Sequence, residues 1–255
     1  MTAQKRTPVK RETKKEKIVE HTLTSSKVVK DQVELKSHQK PVSNFLRQND
    51  ISIILSGAGC AKDFVQMYRA IEGLKNKEFE KIVITKPICE ISGSIGFMPG
   101  NLSEKTDVYL KSFYDSIAKI VGKENVNSIM SKVQFEHIGF QRGNTFPEHS
   151  VVILSEAQNM NAHELISYVS RLPESSKMFV NADWLQSDLG MKSGLNVFLE
   201  CMSGVDGVGI AMLDPKIHQM RRKIINDIAE NYLKILKRQG KFFELDKSKF
   251  EYVEL

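Results

Sequence analysis

Six short β-branched runs, ISIIL (51–55), KIVIT (81–85), VQFEHI (133–138), VVIL (151–154), KMFVN (177–181) and GVGIAML (207–213), are spread along the chain with stretches of helical period between them. In two of those stretches, Phe64, Tyr68, Ile71 and Leu74, and again Leu165, Ile166, Val169 and Leu172, the apolar residues fall at i, i+4, i+7 spacing and outline one helical face. Strands that alternate with helices form a mostly parallel sheet with helices on both faces, an α/β fold. Ligands on such sheets bind at the carboxyl ends of the strands.

The chain has 255 residues, 41% of them hydrophobic, which suits one sizeable domain with a buried core better than two. Cys60, Cys89 and Cys201 lie far apart without metal spacing, and His137, His149 and His163 do not converge with a carboxylate, so neither a disulfide framework nor a metal-hydrolase site is expected. No apolar run approaches the ~18 residues of a membrane span. A soluble cytoplasmic protein without a membrane partner is the expectation.

Residues 1–30 carry nine Lys or Arg against three Glu, so the net charge of +6 resides there and the remainder is balanced. A segment so rich in Lys, Thr and Ser buries too little apolar surface to fold alone. The chain is therefore divided into a disordered basic arm (1–33), an α/β domain (34–240) and a C-terminal tail (241–255). The arm is either a solubilising tail or an electrostatic grip on nucleic-acid phosphates.

The run ISIIL leads straight into SGAGCAKDF, a small-residue loop with the outline of a phosphate-binding loop. Gly57 and Gly59 let the backbone turn its amides toward an anion, the helix expected to start near Lys62 adds its positive end, and Lys62 supplies a point charge. The usual G-x-x-x-x-G-K-[ST] pattern is broken by Ser56, Ala61 and Asp63. The candidate binding segment is Gly57, Ala58, Gly59, Cys60, Ala61, Lys62, Asp63 and Phe64.

A second signal is VVILSEAQN (151–159), an apolar strand ending in an acidic residue. The usual ending of such an element is Asp-Glu, the first holding magnesium and the second activating water; here the pair is Ser155-Glu156. The carboxylate missing at the strand end stands in the loop as Asp63, and the hydroxyl missing from the loop stands at the strand end as Ser155. Magnesium takes one or two hard oxygen ligands from a protein, so the two can serve in either order with the same summed charge. A relic that has lost both ligands is the competing account.

The motifs SGAGCAKD, VITKP, IGFMPGNLSEKTDVYLKSFYD, QRGNT, VVILSEAQN, NADWLQSDL and KSGL, from about residue 35 to 235, resemble in order and spacing the PhoH-like P-loop ATPases, and the alanine-lysine-aspartate version is similar to the branch found in phages. The resemblance implies a RecA-like P-loop NTPase core, ATP and magnesium binding, and ring-like homo-oligomers such as hexamers, with RNA or single-stranded nucleic acid as the suspected substrate. It also implies roles: Gln39 reading adenine, unless it only caps its helix; Lys62 on the β- and γ-phosphates; Asp63 and Ser155 on the metal; and Glu156 as general base. Gln158, with Asp183 and Gln186, resembles the groups that sense the γ-phosphate. The family's second arginine in RGRT is Asn144 here, leaving Arg142, and Arg221 falls where the family has an arginine, as a finger or merely on a basic helix face. Trp184 and Phe146 are candidates for base stacking or for packing.

Three functions remain open from the sequence: magnesium-dependent ATP hydrolysis, a nucleotide-binding switch without catalysis, and a non-enzymatic nucleic-acid binder working through its arm.

Overall fold

Each β-branched run becomes a strand: β1 (Ile51–Leu55), β2 (Lys81–Thr85), β3 (Val133–Glu136), β4 (Ser150–Leu154), β5 (Lys177–Ala182) and β6 (Val208–Met212). A seventh, β7 (Val253–Glu254), is added at one edge. The sheet order is β3-β2-β4-β5-β1-β6-β7, with every pair parallel. This is an α/β architecture of the RecA-like P-loop NTPase type. The computed structural model describes residues 33–57, 59–87, 102–136, 138, 145–218, 220, 222–240 and 242–255. The arm up to residue 32, Ala58, Cys89, the IGFMPGN stretch, His137, Arg142, Asn144 and Arg221 lie outside the described residues.

Helices supply the crossovers that parallel pairing requires. The helix α1 (Gln39–Gln48) precedes β1, and α2 (Lys62–Lys75) joins β1 to β2. Between β2 and β3 come α3 (Leu102–Val121) and α4 (Val126–Met130). Next, α5 (Ala162–Val169) links β4 to β5 and α6 (Leu195–Met202) links β5 to β6. The helices α7 (Pro215–His218) and α8 (Lys223–Arg238) follow β6.

Alternate strand residues feed two separate cores, as a two-residue period demands. Ile54, Ile82, Ile84, Val151, Ile153 and Phe179 pack with α1, α2, α3 and α4 on one face. Ile53, Leu55, Val83, Val152, Leu154 and Val180 pack with α5 and α6 on the other. The helical faces differ in detail from those outlined by the sequence. In α2 the buried hydrophobic residues are Val65, Met67, Ala70 and Ile71, with Phe64, Tyr68 and Leu74 on the margin. In α5 Leu165 is buried but Ile166 is exposed, and Leu172 lies beyond the helix.

The segment 242–255, set aside in the sequence as a tail, packs against the domain: Phe243, Leu245 and Phe250 are buried in the second core and β7 pairs with Ala211 and Met212 of β6. Spacings of two and five residues between Phe243, Leu245 and Phe250 do not announce this from the sequence, because neither a helical nor a strand period is completed.

Two local devices shape the loop after β4. Asn161 and Glu164 close a reciprocal capping box at the start of α5, each side chain accepting the other's backbone N–H at 2.9 Å. Gly194, in the KSGL motif, passes so close that a Cβ there would sit 2.0 Å from the Ala162 nitrogen. Only glycine permits that approach, and it lets Gly194 N–H donate to the Met160 carbonyl at 2.9 Å.

Candidate functional site

Register decides which residues meet. Leu55 of β1 is level with Ala182 of β5, and Leu154 of β4 is level with Val180. The residues just past β4 therefore stand beside Asn181, and the loop leaving β1 stands beside them both.

The loop from β1 enters α2 through two left-handed residues, Gly59 (φ 87°) and Ala61 (φ 55°). Ala61 occupies the position where the usual loop has glycine, and its Cβ makes that conformation cost about 1–2 kcal/mol. The first intrahelical bond runs from Val65 N–H to the Ala61 carbonyl at 3.1 Å, so the N–H groups of Lys62, Asp63 and Phe64 precede the ladder at the positive end of a 14-residue helix. Gly57 and Cys60 are buried in the loop and Phe64 is half-buried beyond it. Lys62 is buried too, yet forms no ion pair among the described residues.

Asp63 and Ser155 are in direct contact. Ser155 Oγ donates to Asp63 Oδ1 at 2.8 Å, and Asn181 Nδ2 donates to the same oxygen at 2.7 Å. Asp63 Oδ2 is left without a hydrogen bond among the described residues. Asn181 does more than this. Its Nδ2 also donates to Gln66 Oε1 at 2.8 Å, and its Oδ1 accepts the Glu156 N–H at 3.2 Å. One fully buried amide thus ties the carboxylate of α2 to the backbone of the residue that follows Ser155.

Glu156 itself is left-handed, with φ 62° and ψ 41°, an uncommon state for a residue with a Cβ. Gln158 Nε2 donates to Glu156 Oε2 at 2.6 Å and lies 3.4 Å from the Gln186 carbonyl, while Gln158 Oε1 accepts the Asp183 N–H at 2.9 Å. Gln158 is completely buried. Its amide is therefore occupied in holding Glu156 and in joining the loops after β4 and β5. Asp183 is buried and turns an oxygen onto Leu185 N–H at 3.1 Å, whereas the Gln186 side chain is exposed.

Gln39 sits apart, in the first turn of α1. It is buried, and its Oε1 accepts the Lys36 N–H at 3.0 Å while its own N–H donates to the Lys36 carbonyl at 2.9 Å. That closes the turn leading into the helix, and the amide nitrogen has no hydrogen bond among the described residues. Phe146 is buried edge-on against Tyr168, with ring centroids 5.0 Å apart, and Trp184 packs against the second core, so both rings are used for packing.

A model of the family described as PhoH-like protein matches residues 32–233. The chain belongs to the PhoH-like family. It is 34% identical over 191 residues to a "PhoH-like protein" of Bacillus subtilis (strain 168), covering 73% of this chain and 59% of the relative. A "PhoH-like protein" of Synechocystis is 30% identical over 198 residues, 76% of this chain and 60% of the relative. "Protein PhoH" of Escherichia coli (strain K12) is 35% identical over 159 residues, 60% of this chain and 45% of the relative. The chain spans about half to three fifths of the length of these relatives.

Asn181 and Gln66 are the residues of this PhoH-like site that the sequence reading passed over. The signal was there: an asparagine ending the run KMFVN is a polar residue in a strand buried on both faces, which is tolerated only with partners. Asn181→Ala removes one acceptor and two donated bonds from a buried site, so unfolding in urea is expected to show a loss of about 1–3 kcal/mol. A change below the error of the extrapolation would show that the amide is not holding these groups.

Proposed function

We propose that this chain binds ATP with magnesium at the loop between β1 and α2 and hydrolyses it, as a cytoplasmic PhoH-like ATPase of the phage-type branch marked by Ala61-Lys62-Asp63. The observation that carries the reading is the 2.8 Å contact between Ser155 Oγ and Asp63 Oδ1 beside a buried Lys62. Both donors are hard oxygens, magnesium asks a protein for only one or two of these, and Asp63 keeps a second oxygen available. The residues present fit the ion, with Asp63 and Ser155 as its holders. Bound there, it would supply neutralisation of the phosphate charge.

The chain's own groups then divide the work. Lys62 and the N–H groups at the start of α2 hold the β- and γ-phosphates against the positive end of the helix. Glu156, fixed through Oε2 by Gln158, keeps Oε1 to take a proton from the attacking water. Gln186 carries an exposed amide suited to the γ-phosphate or the water, and the Gln39 amide nitrogen is suited to an adenine edge.

Charge stabilisation in phosphoryl transfer usually draws on an arginine that two-domain motors supply from their second domain. We place that arginine on a neighbouring copy in a ring, such as a hexamer, with Arg221 as the residue brought to the nucleotide. Phosphate release per chain is then expected to rise with protein concentration. Full turnover by a strictly monomeric protein would sink the ring.

RNA or single-stranded nucleic acid is the coupled partner, gripped by the nine cations of residues 1–30. Binding of a single-stranded oligonucleotide should weaken by about 0.7 log units per log unit of salt for each phosphate neutralised. Removing residues 1–30 should flatten that slope and leave nucleotide affinity alone. An unchanged slope would make the arm a solubiliser.

The exchanged ligands are tested by a double-mutant cycle read as magnesium-dependent phosphate release. Asp63→Thr leaves two hydroxyls and no carboxylate, so turnover collapses. Ser155→Asp alone crowds two carboxylates beside the phosphates, and the two together restore the common arrangement. Activity of the double variant should exceed that of Asp63→Thr, a coupling on the order of 1 kcal/mol or more. Additive losses would reject the exchange. Wild-type nucleotide binding without any hydrolysis would instead mark a switch.

A further inference from the structure

The helix α8 runs for 16 residues without one buried side chain among those described. Ile224, Ile228, Tyr232 and Ile235 are 41% to 62% exposed and recur at i, i+4, i+8 and i+11, which aligns them in a single stripe. Ile217 and Met220 continue the apolar surface toward α7. Six of the twelve large apolar side chains exposed among the described residues therefore belong to a segment of 19 residues, 217–235. A helix of this length, carrying β-branched isoleucines on its open side, draws most of its stability from packing of that face. Such a face calls for a partner.

The charges on α8 say what. Its first half carries Lys223, Asp227 and Glu230, and its second half Lys234, Lys237 and Arg238, so the helix runs from weakly acidic to strongly basic. The arm, itself strongly basic, is repelled by the second half. An antiparallel copy of the same helix is not, because it sets the acidic half of one against the basic half of the other. Asp227 and Lys234 are seven residues apart, hence on one flank of the stripe, and neither forms an ion pair among the described residues. The stripe is centred between residues 229 and 230. A two-fold axis at that centre brings Asp227 of each copy within about half a turn of Lys234 of the partner subunit, with Ile228 packed near the partner subunit's Tyr232.

We propose that α8 is a self-association surface whose occupant is α8 of a second copy of this chain, packed antiparallel about a two-fold axis. Such a contact is isologous and closes on two chains, so it is separate from the head-to-tail contact that builds a ring and does not rest on the ATPase reading. With a helix length of about 24 Å, the paired faces bury on the order of 1,000 Å², at the lower end of specific interfaces, so the pairing is reversible. The surface lies close to the phosphate loop, since Met220 N–H donates to the Gly59 carbonyl at 3.0 Å just before α8 begins.

Sedimentation of the full chain tests this, with Ile228→Asp as the variant, because an exposed position tolerates the change without unfolding the domain. The expected result is an apparent mass for the wild type about twice that of Ile228→Asp, whether the halved species is a single chain or a ring. Asp227→Lys should weaken pairing by like-charge contact, and Asp227→Lys combined with Lys234→Asp should restore it. A wild type that sediments as a monomer, or an unchanged mass for Ile228→Asp, overturns the proposal. So does an Ile228→Asp variant of unchanged mass that has instead lost binding to vesicles of anionic phospholipid, which would make the stripe a membrane-surface helix.

Discussion

Leu154 of β4 level with Val180 of β5, and Leu55 of β1 level with Ala182, is the register from which the site follows. In a parallel sheet all carboxyl ends face one way, so three strands distant in sequence release their loops into one small volume. A slip of one residue in β5 would turn Asn181 to the opposite face and break its bonds to Asp63, Gln66 and the Glu156 N–H together. The apolar alternation that fills the two cores prevents that slip, because Val180 and Phe179 would exchange faces at the same time. Hydrophobic burial thus sets the position of polar groups that contribute no hydrophobic energy themselves.

Seen from the site, the exchange of carboxylate and hydroxyl is a matter of which backbone carries the charge. Placed on α2, the Asp63 carboxylate lies in the first turn of a helix, where the dipole favours an anion. Placed at the end of β4, a carboxylate would have no such partner and would stand next to Glu156. The hydroxyl at Ser155 instead donates to Asp63, and the 2.8 Å bond orients the carboxylate. Asn181 repeats that donation from the other strand. Two donors on one oxygen leave the second oxygen without a hydrogen bond among the described residues, an arrangement that the common Asp-Glu ending with a loop hydroxyl would build from the opposite side.

The sheet was legible in the sequence because its strands are buried on both faces and so read as unbroken β-branched runs, ISIIL and VVIL above all. Helix α2 was legible as an element and Ile71 of its outlined face is buried, but Phe64, Tyr68 and Leu74, large enough to dominate the pattern, lie at the margin while Val65, Met67 and Ala70 are buried. The stretch 242–255 was not legible, because Phe243, Leu245 and Phe250 find their partners in tertiary space and leave no local period. At the site, residues with recognisable chemistry (Lys62, Asp63, Ser155, Glu156) could be picked out one by one. Their supports could not, since Asn181 and Gln158 act through bonds whose geometry depends on register between strands. The sequence suggested Gln158 as a sensor of phosphate, yet its amide has partners on both ends already.

Ala61 and Glu156 are both left-handed residues with a Cβ, one at each side of the Asp63–Ser155 contact. Each such conformation costs about 1–2 kcal/mol and persists only where the surroundings over-determine it. For Glu156 the determinants can be named: its N–H is held by Asn181, its carboxylate by Gln158, and Gln158 in turn by the backbone of Asp183. For Ala61 the determinant is α2, whose ladder begins on its carbonyl. The strain has a direction in both cases. It turns the chain abruptly at the ends of β4 and of the loop, where Ser155 on a strand end and Asp63 on a helix start face each other. The two departures from the usual motif, alanine for glycine and serine for aspartate, therefore meet in one structural unit, and the bonds through Asn181 are what keep that unit closed.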